Sequence, residues 1–185
     1  FNADDWVRIA REAGMKYIVI TAKHCDGFAM FRSKASPFNI VDATPFGRDP
    51  MKELSEAGAR QGIKFGFYYS HSWDWHEADA PGLINDWDFP PLGKRNLDRY
   101  FLGKSLPQVE ELVTQYKPAI LWFDVPDLSR ERSQAFLDVI RRHLPDCVVN
   151  DRIGNGLGDY ATPEQFVPRD KAAADFEVCM TLNQH

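Results

Sequence analysis

The chain has 185 residues, enough to bury a sizeable core as one domain. Apolar residues make up 44% and charged residues 26% of it, the ordinary balance of a globular protein. The net charge is −5 and no Lys/Arg run exceeds the pair Arg141–Arg142, which argues against a nucleic-acid partner; no stretch approaches the roughly 18 apolar residues of a membrane span.

The predicted elements alternate helix and strand. Asn2 is a candidate N-cap with Asp5 three residues on, and Trp6, Ile9, Ala10 and Ala13 share one helical face that Gly14 closes. Tyr17 to Thr21 reads as a buried strand. Asp49-Pro50 opens a second helix, cap followed by proline, running through Met51, Leu54 and Ala57 towards Gly62. Lys64 to Tyr69 is the second strand, followed by a long loop rich in Trp, Asp and Pro from Ser70 to about Pro91. Val109, Leu112, Val113 and Tyr116 mark a third helix that stops before Lys117-Pro118. Ala119 to Phe123 is the third strand. Ser129 is the expected cap of a fourth helix carrying Phe136, Val139 and Ile140. Cys147 to Asn150 is a fourth strand and Phe176 to Met180 a candidate fifth.

Helices alternating with near-continuous apolar strands imply a parallel sheet. No GxGxxG follows a strand, so the dinucleotide-binding variant lacks its signature. Polar groups follow each strand instead: His24 and Asp26 the first, Tyr68, Tyr69 and Ser70 the second, Asp124 the third, Asp151 and Arg152 the fourth. That placement suits a (β/α)8 TIM barrel, whose site gathers at the strand C-termini. Four or five strands are too few to close one, so the expectation is a partial barrel, residues 1–185 forming part of a single domain with both ends missing.

Leu121-Trp122-Phe123-Asp124-Val125-Pro126 sets one carboxylate at the end of an apolar strand; from the segment alone Asp124 is equally a solvated loop residue or helix cap. With a helix carrying Gln108 to Leu112 ahead of it, the segment resembles glycoside hydrolase family 29, the α-L-fucosidases. Thr21-Ala22-Lys23-His24-Cys25-Asp26-Gly27-Phe28, Thr44 to Asp49, Phe65 to Ser70 and Asn150-Asp151-Arg152 are also similar to segments of that family. So are Gly158-Asp159-Tyr160 and Phe176 to Thr181, all in the family's order, so the likeness spans nearly the whole chain.

The resemblance implies a retaining glycosidase without cofactor or metal, acting on a fucosylated glycan. It implies Asp124 as nucleophile, Trp122 as an aromatic against the sugar, and His24, Tyr68 and Arg152 as polar contacts to the fucose hydroxyls and the nucleophile. Glu164, in Thr162-Pro163-Glu164-Gln165, is the preferred acid/base; Glu177 competes with it and Asp159 ranks third. Retention needs one ionised carboxylate to attack the anomeric carbon and a second, protonated one to serve the leaving oxygen. A secreted, periplasmic or lysosomal location is implied in the same way.

The chain also departs from the family's pattern. His24-Cys25 stands where two consecutive histidines are usual, and a thiol replaces an imidazole donor poorly. A further histidine and an acidic pocket residue are expected before Phe1, and Trp-Gly-Tyr after His185. Two rival readings stay open: a metal-dependent barrel hydrolase using His24, Asp26 and Asp124, and a non-catalytic fucose-binding remnant. Trp73 and Trp75 either line a leaving-group subsite or cover the barrel rim, the rim being preferred. His71, His76, Asp74 and Asp79 lack ligand spacing and read as solvated loop residues. Cys147 and Cys179 read as small strand hydrophobes; three cysteines, an odd number without CxxC spacing, leave at least one thiol free.

Overall fold

The computed structural model describes residues 1–82, 90–168 and 175–181. Its sheet holds β1 (Tyr17–Lys23), β2 (Lys64–Tyr69), β3 (Ile120–Phe123) and β4 (Val148–Val149), paired in parallel in sequence order. Helix α1 (Ala3–Glu12) precedes β1 and α2 (Pro50–Gln61) precedes β2. Helices α3 (Leu97–Tyr100) and α4 (Leu106–Gln115) lead into β3, and α5 (Arg130–His143) into β4. Consecutive parallel strands joined by helices make this a partial (β/α)8 barrel.

Local chemistry sets the helix ends. The Asn2 side chain accepts from the backbone N–H groups of Asp4 and Asp5, and Asp49 accepts from that of Lys52. Gly62 closes α2 at φ 75°, a conformation only glycine takes without strain. Ser129 occupies the cap position of α5 but its side chain makes no capping bond. The buried face of α1 is Ala3, Val7 and Ala10; Trp6 and Ile9, expected on the core face, are 52% and 58% exposed.

Alternation along the strands divides the molecule. Phe65, Phe67, Tyr69, Leu121, Phe123 and Val149 pack under the helices and are at most 6% exposed. The other face carries Val19, Gly66, Ile120, Tyr68 and Trp122. A Cβ on Gly66 would meet the Ile120 Cβ at 2.8 Å and the Val19 Cγ2 at 3.3 Å, so glycine lets three strands close on this concave side. The expected fifth strand does not join the sheet. Among the described residues, the stretches near 160–164 and 176–179 meet only through isolated parallel bridges, Ala161 with Phe176 and Glu164 with Cys179. Cys179 is therefore half-buried outside any strand, whereas Cys147 lies in the core and its burial pushes the thiol up to about 12.

The loop after β2 corrects another expectation. His71 and Asp74 are buried rather than solvated, at 0% and 2% exposure. A π-helical turn, Phe101–Ser105, separates α3 from α4 and turns Lys104 inward. Asp74 Oδ2 lies 3.0 Å from Lys23 Nζ and 2.9 Å from Lys104 Nζ, and Lys104 also reaches Glu77 at 3.1 Å. Burial pushes the Lys23 ammonium below its ordinary range, against the pull of Asp74. Gly27 packs so closely on Asp74 that a Cβ there would fall 2.1 Å from Oδ1. The network thus ties the loop bearing His24 to the loop after β2. Asp74→Ala leaves two buried ammonium groups facing each other, though Lys104 keeps Glu77. It is expected to lower the stability of the full-length protein by roughly 3 kcal/mol in urea unfolding; an unchanged midpoint would refute the coupling.

Candidate active site

Asp124 directly follows β3, with Trp122 two residues earlier on the same face of the strand. Its carboxylate is half-buried and takes three donors. Tyr68 Oη, from β2, donates to Oδ2 at 2.9 Å. Arg152 Nη1, from the turn after β4, donates to Oδ1 at 2.9 Å, and the backbone N–H of Val125 donates to the same oxygen at 2.9 Å. Burial pushes this carboxyl upward, but the bonds from Arg152, Tyr68 and Val125 together outweigh it and hold the group below its ordinary range. Asp124 is therefore a poised anion. Burial, then the charge of Asp124, pushes the Tyr68 phenol well above its ordinary range, so it stays a donor.

The aromatic rings form a continuous wall. His24 stacks on Tyr68 with centroids 5.3 Å apart at 10°, and Tyr68 stacks on Trp122 at 5.6 Å and 24°. Arg152 Cζ sits 4.7 Å from the Trp122 ring centroid. His24 Nδ1 and Cys25 Sγ are 2.9 Å apart, so the thiol engages its neighbour's ring. His24, Tyr68, Trp122, Asp124 and Arg152 thus converge on one rim from four successive strand ends.

The remaining carboxylates separate clearly. Glu164 is exposed and its Oε2 accepts from Arg152 Nη2 at 2.8 Å, so one guanidinium joins it to Asp124. Arg152 is braced further by Thr162, whose Oγ1 accepts from Nε at 3.2 Å. Glu177 accepts from Tyr17 Oη at 2.8 Å, Tyr160 Oη at 3.0 Å and Trp122 Nε1 at 3.1 Å. Tyr17 opens β1 opposite Lys64, at the other end of the strands from Asp124, and Glu177, bonded to it, also orients Trp122. Asp159 accepts from Arg141 at 2.6 and 2.7 Å and from the Val149 N–H at 2.7 Å, which makes it a brace for β4.

Other residues from the sequence lie apart. Asp26 is exposed and its side chain accepts from the Phe28 N–H. Among the described residues no group of three or more His, Cys, Asp or Glu is placed to hold a metal, so His24, Asp26 and Asp124 do not form such a set. Trp73 Nε1 donates to Asp127 at 2.8 Å and Trp75 is 36% exposed, both in the loop after β2. His76 stacks on Phe38 at 3.9 Å, and Asp79 accepts from the Asn96 N–H at 2.9 Å. Sequence reading missed Thr162, Tyr160, Tyr17 and the Val125 N–H. Tyr17, Tyr160 and Thr162 act through contacts between segments; Thr162, Tyr160 and Val125 stand in segments that the sequence singled out for other residues.

Comparison with known proteins matches the chain to one family. A family model described as Alpha-L-fucosidase covers residues 1–185. Human plasma α-L-fucosidase is 34% identical over 198 residues, spanning all of this chain and 40% of its own length. A putative α-L-fucosidase of Caenorhabditis elegans is 32% identical, with 39% of its length covered. The chain thus spans about two fifths of these relatives. Among solved structures, the α-L-fucosidase of Vibrio sp. strain EJY3 superposes with a TM-score of 0.88 at 39% identity, covering 97% of this chain and 33% of that one. Unliganded AlfC, an α-L-fucosidase from Lactobacillus casei, gives 0.85 at 42%, covering 89% and 54%. A variant of AlfC was solved with 4-nitrophenyl-α-L-fucopyranoside as substrate.

Proposed function

We propose, from the premise that this chain belongs to the α-L-fucosidase family, that its protein hydrolyses terminal α-L-fucosides with retention, and that residues 1–185 are part of one catalytic barrel. The observation that carries the reading is Asp124, an anion at a strand C-terminus held by Tyr68 and Arg152 beside the Trp122 ring. In the first step an Asp124 oxygen bonds to the anomeric carbon as the glycosidic C–O bond breaks. Glu164 gives its proton to the departing oxygen. In the second step Glu164 takes a proton from water, the water oxygen bonds to the anomeric carbon, and the ester to Asp124 breaks.

Two features favour Glu164 over Glu177 as the acid/base. Glu164 shares the Arg152 guanidinium with Asp124, which keeps the two carboxylates neighbours, as a retaining pair closing to about 5–5.5 Å around substrate requires. Its exposure lets it leave Arg152 when substrate arrives, whereas Glu177 is tied by three donors on the concave face. His24 and Tyr68 contact the fucose hydroxyls in this reading, and the substrate is a fucosylated glycan.

Proton NMR of the full-length protein acting on an aryl α-L-fucoside tests it. The α-anomer of fucose is expected first, with the β-anomer growing in only by mutarotation. First release of the β-anomer would exclude the covalent route. Fucose binding without turnover would favour a non-catalytic protein, the reading to which Cys25 lends support.

A further inference from the structure

Val125 has a backbone φ of +54°. Nothing in its local sequence favours that conformation. It is β-branched, which makes positive φ a steric outlier, and it precedes Pro126, which favours an extended backbone. Strain of this kind persists only where neighbours enforce it. The enforcing contacts come from the loop after β2. Ser72, 0% exposed, donates from Oγ to the Val125 carbonyl at 2.9 Å, and that carbonyl also accepts from the Asp127 N–H at 2.9 Å. Trp73 Nε1 fixes Asp127 at 2.8 Å. The loop is itself anchored, since the His71 carbonyl accepts from Ser105 Oγ at 2.6 Å and Tyr100 Oη at 3.2 Å. With β3 fixing the chain before the 124–125 peptide and the held Val125 carbonyl fixing it after, the orientation of that peptide links the backbone of Asp124 to φ of Val125; in the orientation observed, φ is positive and the N–H meets Asp124 Oδ1.

We propose that Ser72 is a positioning residue for the Asp124 carboxylate, acting through the strained backbone of Val125; the inference rests on Asp124 being the nucleophile. Ser72 is buried, and its hydroxyl bonds to the Val125 carbonyl rather than to the Asp124 carboxylate. Its hydroxyl holds the Val125 carbonyl, so that the 124–125 peptide cannot flip to relieve the positive φ and carry its N–H away from the carboxylate. Without that donor Asp124 keeps, among the described residues, Arg152 and Tyr68, with Cys25, His71 and Cys179 within electrostatic reach. Fewer donors to the anion favour its protonated form, so the acid limb of the kcat/KM profile moves to higher pH.

The test compares Ser72→Ala, Val125→Gly and the double variant in the full-length protein on an aryl α-L-fucoside. Ser72→Ala is expected to lower kcat about ten-fold and to raise the acid limb by about one pH unit, with KM little changed. Glycine adopts positive φ without strain, so Val125→Gly added to Ser72→Ala is expected to restore both the limb and kcat. Wild-type kinetics for Ser72→Ala would overturn the proposal. So would a loss that glycine does not rescue, which is what a merely structural serine predicts. If Ser72→Ala does not fold on its own, the Val125→Gly background decides. Adding Ser72→Ala there should leave the acid limb where it stands in Val125→Gly alone, and a rise of about one pH unit would overturn the proposal. Failure here with Asp124→Ala still inactive would leave the nucleophile reading intact; an active Asp124→Ala would remove its foundation.

Discussion

Asp124→Ala in the full-length protein is expected to lower kcat on an aryl α-L-fucoside by about 10⁴-fold, the scale of losing a nucleophile outright. The fold should survive. Asp124 is half-buried at a strand end and outside the apolar core, and Arg152, its charged partner, keeps Glu164 and Thr162. Circular dichroism and a melting curve check that point. Azide is expected to restore part of the rate, because it fits the space vacated by the carboxylate and attacks the same anomeric carbon. The product is then β-L-fucosyl azide, formed with inversion as the aryl oxide leaves. A variant with near wild-type turnover, or rescue without fucosyl azide, would remove Asp124 from the nucleophile's role.

Glu164→Gln is expected to separate substrates by leaving group. A general acid contributes about 10²–10⁴-fold where the departing oxygen needs a proton. Turnover of fucosylated glycans should fall on that scale, while an activated aryl fucoside, whose phenoxide leaves unaided, should change far less in the fucosylation step. Glu177→Gln should not show this split. Its carboxylate accepts from Tyr17, Tyr160 and Trp122, so the amide should disturb the Trp122 ring and weaken both substrates alike. If the split belongs to Glu177→Gln instead, Glu177 is the acid and Glu164 a loop residue that pairs with Arg152.

Much of the architecture is legible in the sequence because it is set locally. Asn2 and Asp49-Pro50 mark helix starts, Gly62 marks a stop, and short apolar runs at 17–21, 64–69 and 119–123 become three of the four parallel strands. Period-two alternation also puts Trp122 and Asp124 on one face before any contact is known. The residues gathered at the strand ends follow from the same regularity.

Features that depend on pairs distant along the chain were not legible in this way. His71 and Asp74 read as solvated loop residues; Asp74 is buried where Lys23, 51 residues away, and Lys104 converge on it, and His71 where its ring packs on Phe123 and Phe136. Trp6 and Ile9 share a helical face with Ala10, yet the rotation of α1 against α2 buries Ala3, Val7 and Ala10 instead. Phe176 to Met180 has a strand's composition but finds only isolated bridges, since composition does not supply a partner edge. Glu164 and Glu177 are alike as sequence; one guanidinium joins the first to Asp124, and three donors hold the second beneath Trp122. The parallel α/β order and the rim on which Asp124 stands can be read from residue order alone, because periodicity and caps are short-range. Which groups are buried, which carboxylate adjoins Asp124, and that Val125 is held at positive φ emerge only in three dimensions, because each rests on contacts between segments that local preference does not bring together.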